Sequence, residues 1–149
     1  MGKHRHRSRQ LALQVLYARE YMKEPPEDIV KRLQQTQNVS KEYWTTFCRE
    51  LTYAVIGDVK TLDEEIKKVL QNWRIERLSR IDLIILRLAL CEMRDFEDIP
   101  LRVTLNEYIE LAKQFGTDES FQFVNGILDK LAQAFKQKDF DQKSDPPKP

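Results

Sequence analysis

The sequence predicts an all-α protein, and three observations predict it. Glycine and proline are scarce: the 149 residues hold 4 Gly and 6 Pro, with none inside 27–56, 58–99 or 101–115. Strands need turn residues far more often than that. Apolar residues recur at the helical spacing, as in Leu11, Ala12, Val15, Leu16 and Met22, and again in Phe121, Val124, Ile127, Leu128, Leu131 and Phe135. No segment alternates convincingly with a period of two.

Punctuation then sets seven helices in order. The first covers about 8–23 and stops before Pro25-Pro26, because a residue preceding proline avoids the α region. The second covers about 27–36. The third starts near Ser40, a candidate N-cap, and ends about Gly57. The fourth covers about 59–71, where Thr61 to Glu64 has the capping-box form. The fifth opens at Ser79-Arg-Ile-Asp82, again a capping form, and reaches about Arg94; from Ile81 to Cys91 only Asp82 and Arg87 interrupt its apolar run. Such a helix is packed by neighbours on most sides. The sixth opens at the capping-box match Thr104 to Glu107, after Pro100, and closes with Gly116 past Phe115. The seventh covers about 119–136.

Seven short helices without an internal repeat fit two packed three-helix-bundle-like subdomains in one domain over residues 1–136. The division falls near 72–78, giving about 1–72 and 73–136. Residues 137–149, ending Ser144-Asp-Pro-Pro-Lys-Pro, can bury almost nothing and are expected to be a disordered tail.

Lys+Arg number 25 and Asp+Glu 24, for a net charge of +1 that conceals an asymmetry. Residues 1–19 carry Lys3, Arg5, Arg7, Arg9 and Arg19 with no acid, so they hold +5 and the rest holds −4. No uncharged apolar run approaches the ~20 residues of a membrane span. The N-terminus is charged where a signal peptide would be apolar, and His6 stands where a myristoylation signal wants Ser or Thr. A cytoplasmic protein without membrane contact is expected. Cys48 and Cys91 sit in apolar surroundings without a C-x-x-C pairing, which reads as buried, inert thiols.

Enzyme signatures are absent: there is no glycine-rich nucleotide loop, no G-x-S-x-G and no H-E-x-x-H. The 2 histidines, His4 and His6, both lie in the basic terminus, so no nucleophile–base pair is visible. Catalysis, cofactors and a resident metal are therefore not expected. Gly2-Lys3-His4, with Met1 removed, could take up Cu(II) or Ni(II), as exposed X-X-His termini do adventitiously.

The basic terminus and its helix carry the functional signal. On a 100°-per-residue wheel Arg7, Gln10, Gln14, Tyr17 and Tyr21 share an arc of about 80°, away from the core face. Arginines for phosphates, amides for base edges and an aromatic for stacking are what single-stranded RNA readers combine. The same arc also fits a solvated face whose tyrosines pack at the core rim, and the basic residues could equally meet an acidic protein. A membrane role is weaker, since an interfacial anchor needs its apolar face free.

Arg9 to Tyr17 resembles the R-x-x-A-x-Q-x-L-Y opening of the NusB family of bacterial transcription antitermination factors. Arg77 to Asp82 with Ile85 to Glu92 is similar to the family's central helix. Asp98-Ile-Pro100, Asn106 to Lys113 and Phe123 to Lys130 match its C-terminal signature, in family order. The match spans about residues 5–132. It implies a non-enzymatic factor that binds single-stranded boxA RNA of ribosomal RNA operons together with NusE, a small-subunit ribosomal protein. That complex then acts on the RNA polymerase elongation complex to suppress termination.

Residue by residue, the resemblance implies RNA contact for Lys3, Arg5, Arg7, Arg9 and Tyr17, with Gln14 helping to orient bases. It implies RNA or partner contact for Arg87, Glu119 and Phe123, and for Asp82 and Arg80. Arg87 and Asp82 could instead form a buried or half-buried ion pair that fixes helix packing. Asn125-Gly126 could allow close helix approach. Departures from the family pattern fall at Cys91, Thr104 and Phe121. Family-like domains also occur fused to rRNA cytosine methyltransferases, of which this chain could only be the binding part; a purely protein-binding helical module is the remaining alternative. Removing residues 1–9 is expected to flatten the salt dependence of RNA binding and leave the fold intact.

Overall fold

The computed structural model describes the backbone of residues 2–71 and 74–144 and the side chains of residues 4–71 and 74–136. Among the described residues there are seven α-helices and no strand: α1 (Gly2–Arg19), α2 (Pro26–Thr36), α3 (Thr46–Gly57), α4 (Val59–Val69), α5 (Arg80–Asp95), α6 (Leu101–Phe115) and α7 (Asp118–Ser144). Short 3-10 turns occupy Lys41–Tyr43 and Ile75–Arg77. No helix among these residues is long and apolar enough to cross a membrane.

The helix that the sequence makes apolar on nearly all sides is the centre of the fold. Every residue of α5 from Asp82 to Met93 is buried. It packs against α1, α3, α4, α6 and α7. Each Leu or Ile it buries contributes roughly 1.5–3 kcal/mol, so this one helix supplies much of the core. Around it, α1 packs on α2 and α3, while α5, α6 and α7 pack on one another and α4 also touches α7. These are the two packed bundles. A boundary near residues 72–78 is a proposal, since 72 and 73 lie outside the described residues and α5 contacts both groups.

Local chemistry explains where the helices begin. Ser79 caps α5 as its sequence predicts, its hydroxyl accepting from the Asp82 N–H at 3.1 Å. Ser40 caps the 3-10 turn, and it is Thr45 that caps α3, accepting from the Cys48 N–H at 3.1 Å. Thr61 and Thr104 are not caps, because α4 begins at Val59 and α6 begins directly after Pro100. Pro100 itself occupies the N-cap position, with ψ 138°, so α6 is under way from Leu101, before Thr104 is reached.

Gly116 is required for space rather than for a left-handed turn. A Cβ there would meet the Ala112 carbonyl oxygen at 2.8 Å and the Ser120 Cβ at 2.9 Å. Gly126 does not serve close helix approach, since it is exposed and a Cβ there would meet nothing within 4 Å. The final helix runs through Ser144, past its expected end at 136, and the rest of the expected tail, 145–149, lies outside the described residues. Cys48 and Cys91 are buried and free, each thiol pushed up to about 12, chiefly by burial.

Candidate nucleic-acid interface

The basic terminus is the first part of α1, which starts at Gly2 instead of about residue 8 and ends at Arg19 instead of about 23. No glycine or proline falls between residues 3 and 24, and the early side chains find tertiary partners. Ser8 donates to the Tyr43 carbonyl at 3.0 Å, and the Cys48 thiol donates to the Ser8 carbonyl at 3.1 Å. His6 Nδ1 lies 2.6 Å from the Glu107 carboxylate on α6. At the other end Glu20, Tyr21 and Met22 form a turn on the Tyr17 and Ala18 carbonyls.

Helical phase then sorts the arginines. Arg5 and Arg9, one turn apart, both lie against the Phe47 ring, at 5.0 and 5.3 Å from its centroid. Phe47 in turn meets Phe96 edge-on at 5.1 Å. Arg5 is at the open end of this stack, exposed and 3.8 Å from Asp98. Arg7 points elsewhere, exposed over Tyr43 at 5.9 Å, and His4 shares that ring at 5.3 Å. Beside the Phe47 ring is a cavity of about 300 Å³ lined by His4, Arg5, Ser8, Thr45 and Phe47. Lys3 lies within α1, but its side chain is outside the described residues.

Arg9, expected at the RNA, is at the closed end, turned away from solvent. It is 2% exposed and forms a bidentate pair with Glu92 of α5, Nε to Oε1 at 2.8 Å and Nη2 to Oε2 at 2.9 Å. The same carboxylate accepts from the Thr104 hydroxyl at 2.5 Å and the Tyr108 hydroxyl at 3.0 Å, both on α6. Burial works against the Arg9 charge, and the hydrogen bond and charge of Glu92 outweigh it, so the guanidinium is held above its ordinary value. Tyr108 is pushed well up, by burial first and by Glu92 next, and stays a neutral donor. With its donors turned inward, Arg9 ties α1 to α5 and α6.

Contacts place the remaining predicted residues in separate groups. Gln10 is spent on packing, donating to Gln114 of α6 at 2.7 Å. Gln14 is half-buried, while Tyr17 and Tyr21 are exposed and meet edge-on at 5.6 Å. Arg87 is bidentate to Asp63 of α4, at 2.7 and 2.8 Å, and 3.9 Å from Glu20. The ion pair foreseen for Arg87 therefore exists, but with Asp63 and not with Asp82. Arg80 is exposed, 4.0 Å from Glu20. Arg80, Arg87, Arg19 and Glu20 line one pocket of about 260 Å³ on an apolar floor that includes Leu16 and Ile84.

Asp82 is 6% exposed, and its Oδ1 has no hydrogen-bond partner. Burial raises its carboxyl above the ordinary value, against the pull of the Ser120 and Ser79 hydroxyls. Ser120 belongs to α7, where Glu119 is exposed and Phe123, one turn on, is half-buried against the core. Phe121 is half-buried with the Lys113 ammonium 4.8 Å from its ring centroid. No cluster of three or more metal-ligating side chains occurs among the described residues.

Residues 6–133 match the NusB family. Among curated relatives, the transcription antitermination protein NusB of Alcanivorax borkumensis is 40% identical, over 89% of this chain and 87% of that one. The chain belongs to the NusB family. The same-named protein of Oleidesulfovibrio alaskensis is 42% identical over 89% of each chain. Membership places the chain among non-enzymatic transcription antitermination proteins. Of solved structures, T. maritima NusB superimposes with a TM-score of 0.75 at 34% identity, covering 87% of this chain and 90% of that one. A chain from the crystal structure of antitermination factors NusB and NusE in complex with dsRNA does so at 0.76 and 24% identity, covering 90% and 99%, and that likeness speaks to the fold.

Proposed function

We propose that this chain binds single-stranded RNA along α1 and the adjoining start of α5, together with NusE, and that the RNA is the boxA element of ribosomal RNA operons. The complex so formed would act on the RNA polymerase elongation complex to suppress termination. One observation carries the reading: Arg5 and Arg7 are exposed and each lies against an aromatic ring, and Arg5 lines a 300 Å³ cavity with His4 and Phe47. Exposed guanidinium groups meet phosphates, and the neighbouring rings offer faces on which bases stack. Arg80, Tyr17 and, once released from Asp63, Arg87 extend that surface; Glu119 and Phe123 on α7 belong to it through the nearby Asp82. NusE enters because a protein of this family has been seen with it. A ribosomal protein would also suit the net −4 carried outside the first 19 residues.

Anisotropy of labelled boxA-like RNA against a scrambled RNA, each with and without NusE, tests this. Preference for the boxA-like RNA, strengthened by NusE, is the expected outcome. Equal binding of both RNAs, or none, removes the proposal and leaves a protein-only module.

A further inference from the structure

Beyond the end of α1 a second cleft opens, of about 590 Å³, between the turn that follows the helix and Tyr53 of α3. Its walls carry Arg19, Glu20, Lys23, Glu24, Pro25 and Tyr53. Counted by type, those charges cancel, but they do not cancel in place. Glu24 is held by Arg32 of α2 through two hydrogen bonds of 2.6 and 2.8 Å. Glu20 lies 3.9 Å from Arg87 and 4.0 Å from Arg80. Arg19 and Lys23 make no ion pair among the described residues, so the uncompensated charge of the cleft is positive. Tyr53 is 42% exposed, and its hydroxyl donates to Glu27 of α2, which tethers the ring at one end. The aromatic face is therefore positioned without being covered.

Continuity decides what would lie there. Arg19 and Glu20 line both this cleft and the neighbouring pocket that holds Arg80 and Arg87. We propose that the cleft takes the end of the single-stranded RNA, with a base stacked on Tyr53 and its phosphates met by Arg19 and Lys23. The inference rests on the RNA-binding function proposed above. A tethered tyrosine beside two uncompensated cations is suited to a polyanion carrying flat apolar faces, and stacking of that kind tolerates any base. The cleft would thus add affinity and length to the bound site without adding sequence preference.

The test compares a short boxA-like RNA with the same RNA lengthened by three nucleotides of either uridine or adenosine, at one end and then the other. In the wild-type protein, lengthening at one end should tighten binding about fivefold or more, for both nucleotides. Tyr53→Ala and Lys23→Gln should lose most of that gain while binding the short RNA as before, and Tyr53→Phe, which keeps the ring but frees it from Glu27, should keep more of it than Tyr53→Ala does. Melting curves followed by circular dichroism check that the variants fold, and Tyr53→Phe reports on the ring even if Tyr53→Ala does not. No gain from lengthening at either end, or a gain that survives Tyr53→Ala, overturns the cleft and leaves the RNA function standing. Failure of the short RNA to bind overturns both. Loss of NusE binding in Tyr53→Ala with unchanged affinity for the long RNA overturns it in favour of a protein contact.

Discussion

Arg7 and Arg9 stand two residues apart on one helix and have opposite surroundings. Arg7 is exposed over a tyrosine ring, and Arg9 is 2% exposed with its donors on a buried carboxylate. Two residues are about 200° of helical rotation, enough to carry a side chain from solvent to core. Arg9 falls in phase with Ala12, Leu13 and Leu16, all buried, whereas Arg7 falls outside that stripe. The +5 of the terminus is therefore not a single electrostatic feature. Part of it is a clasp that holds α1 on α5 and α6, and part is free to meet a polyanion.

The largest effect should come from breaking the clasp. Glu92→Ala removes the carboxylate that the buried Arg9 guanidinium is hydrogen-bonded to, leaving it Glu107 at 3.8 Å, and leaves the Thr104 and Tyr108 hydroxyls without their acceptor. Removing one partner of a buried pair costs about 3–5 kcal/mol. Arg7→Ala should stay within about 0.5 kcal/mol, as surface substitutions do. Urea unfolding of the two variants checks this, and similar losses would mean that the exposure difference has no energetic content. Deleting residues 1–9, which sequence reasoning expects to spare the fold, should destabilise it as well, since the deletion takes Ser8 and Arg9 with it. A truncation that keeps the fold has to stop before Ser8.

Next comes the salt dependence of RNA binding. Each phosphate left without its cation should reduce the log–log slope by about 0.7 for a single strand, so Arg5→Gln with Arg7→Gln should flatten it by about 1.4. Arg9→Met, if still folded, should leave the slope alone. Should Arg9→Met flatten it as much as Arg7→Gln does, the clasp opens when RNA binds.

The fold was largely legible because α5 announces itself: an apolar run with two polar breaks has few ways to be anything but central. The cap at Ser79 was legible for the same local reason. Arg9 and Glu92 were also readable in principle, since each sits a helical turn from buried apolar residues, Leu13 for one and Leu88 for the other. Opposite charges placed inside two core stripes predict a pair. What hid it was the neighbouring Arg5 and Arg7, which made Arg9 look like one member of a basic run. Thr104 was misleading for a related reason, since a threonine three residues before a glutamate has capping form whether or not its hydroxyl is already engaged. The partner of Arg87 and the cavity beside Phe47 depend on helices distant in sequence, and spacing carries no record of them.

Arg87 is intermediate between the two arginines of the comparison. Its side chain is 10% exposed and that of Asp63 22%, so water reaches the pair from one side. Asp63→Asn should cost about 1–2 kcal/mol, less than the clasp because solvent can take up part of the loss. It should also free Arg87 in the pocket shared with Arg80 and tighten RNA binding. A destabilised variant with unchanged RNA affinity would confine Arg87 to packing.

The smallest effect concerns two carboxylates on α5 itself. Glu92 accepts from Arg9, Thr104 and Tyr108, while Asp82, ten residues earlier, has an oxygen with no partner. Burial raises the Asp82 carboxyl above its ordinary 3.8, opposed by Ser120 and Ser79. An acid raised in this way favours the folded state below the unfolded value, where it is protonated, and loses that contribution as pH rises through the folded value. At neutral pH its charge is therefore a net cost, and Asp82→Asn should raise the urea midpoint at pH 7. The difference should shrink as the pH falls towards 3.8, because the wild-type carboxyl is then neutral as well. Against this stands the position of Asp82 in the first turn of α5, where a negative charge gains from the helix dipole by about 0.3–1 kcal/mol. If Asp82→Asn lowers the midpoint at pH 7, the dipole outweighs burial, and the missing partner of Oδ1 is no liability to the folded chain.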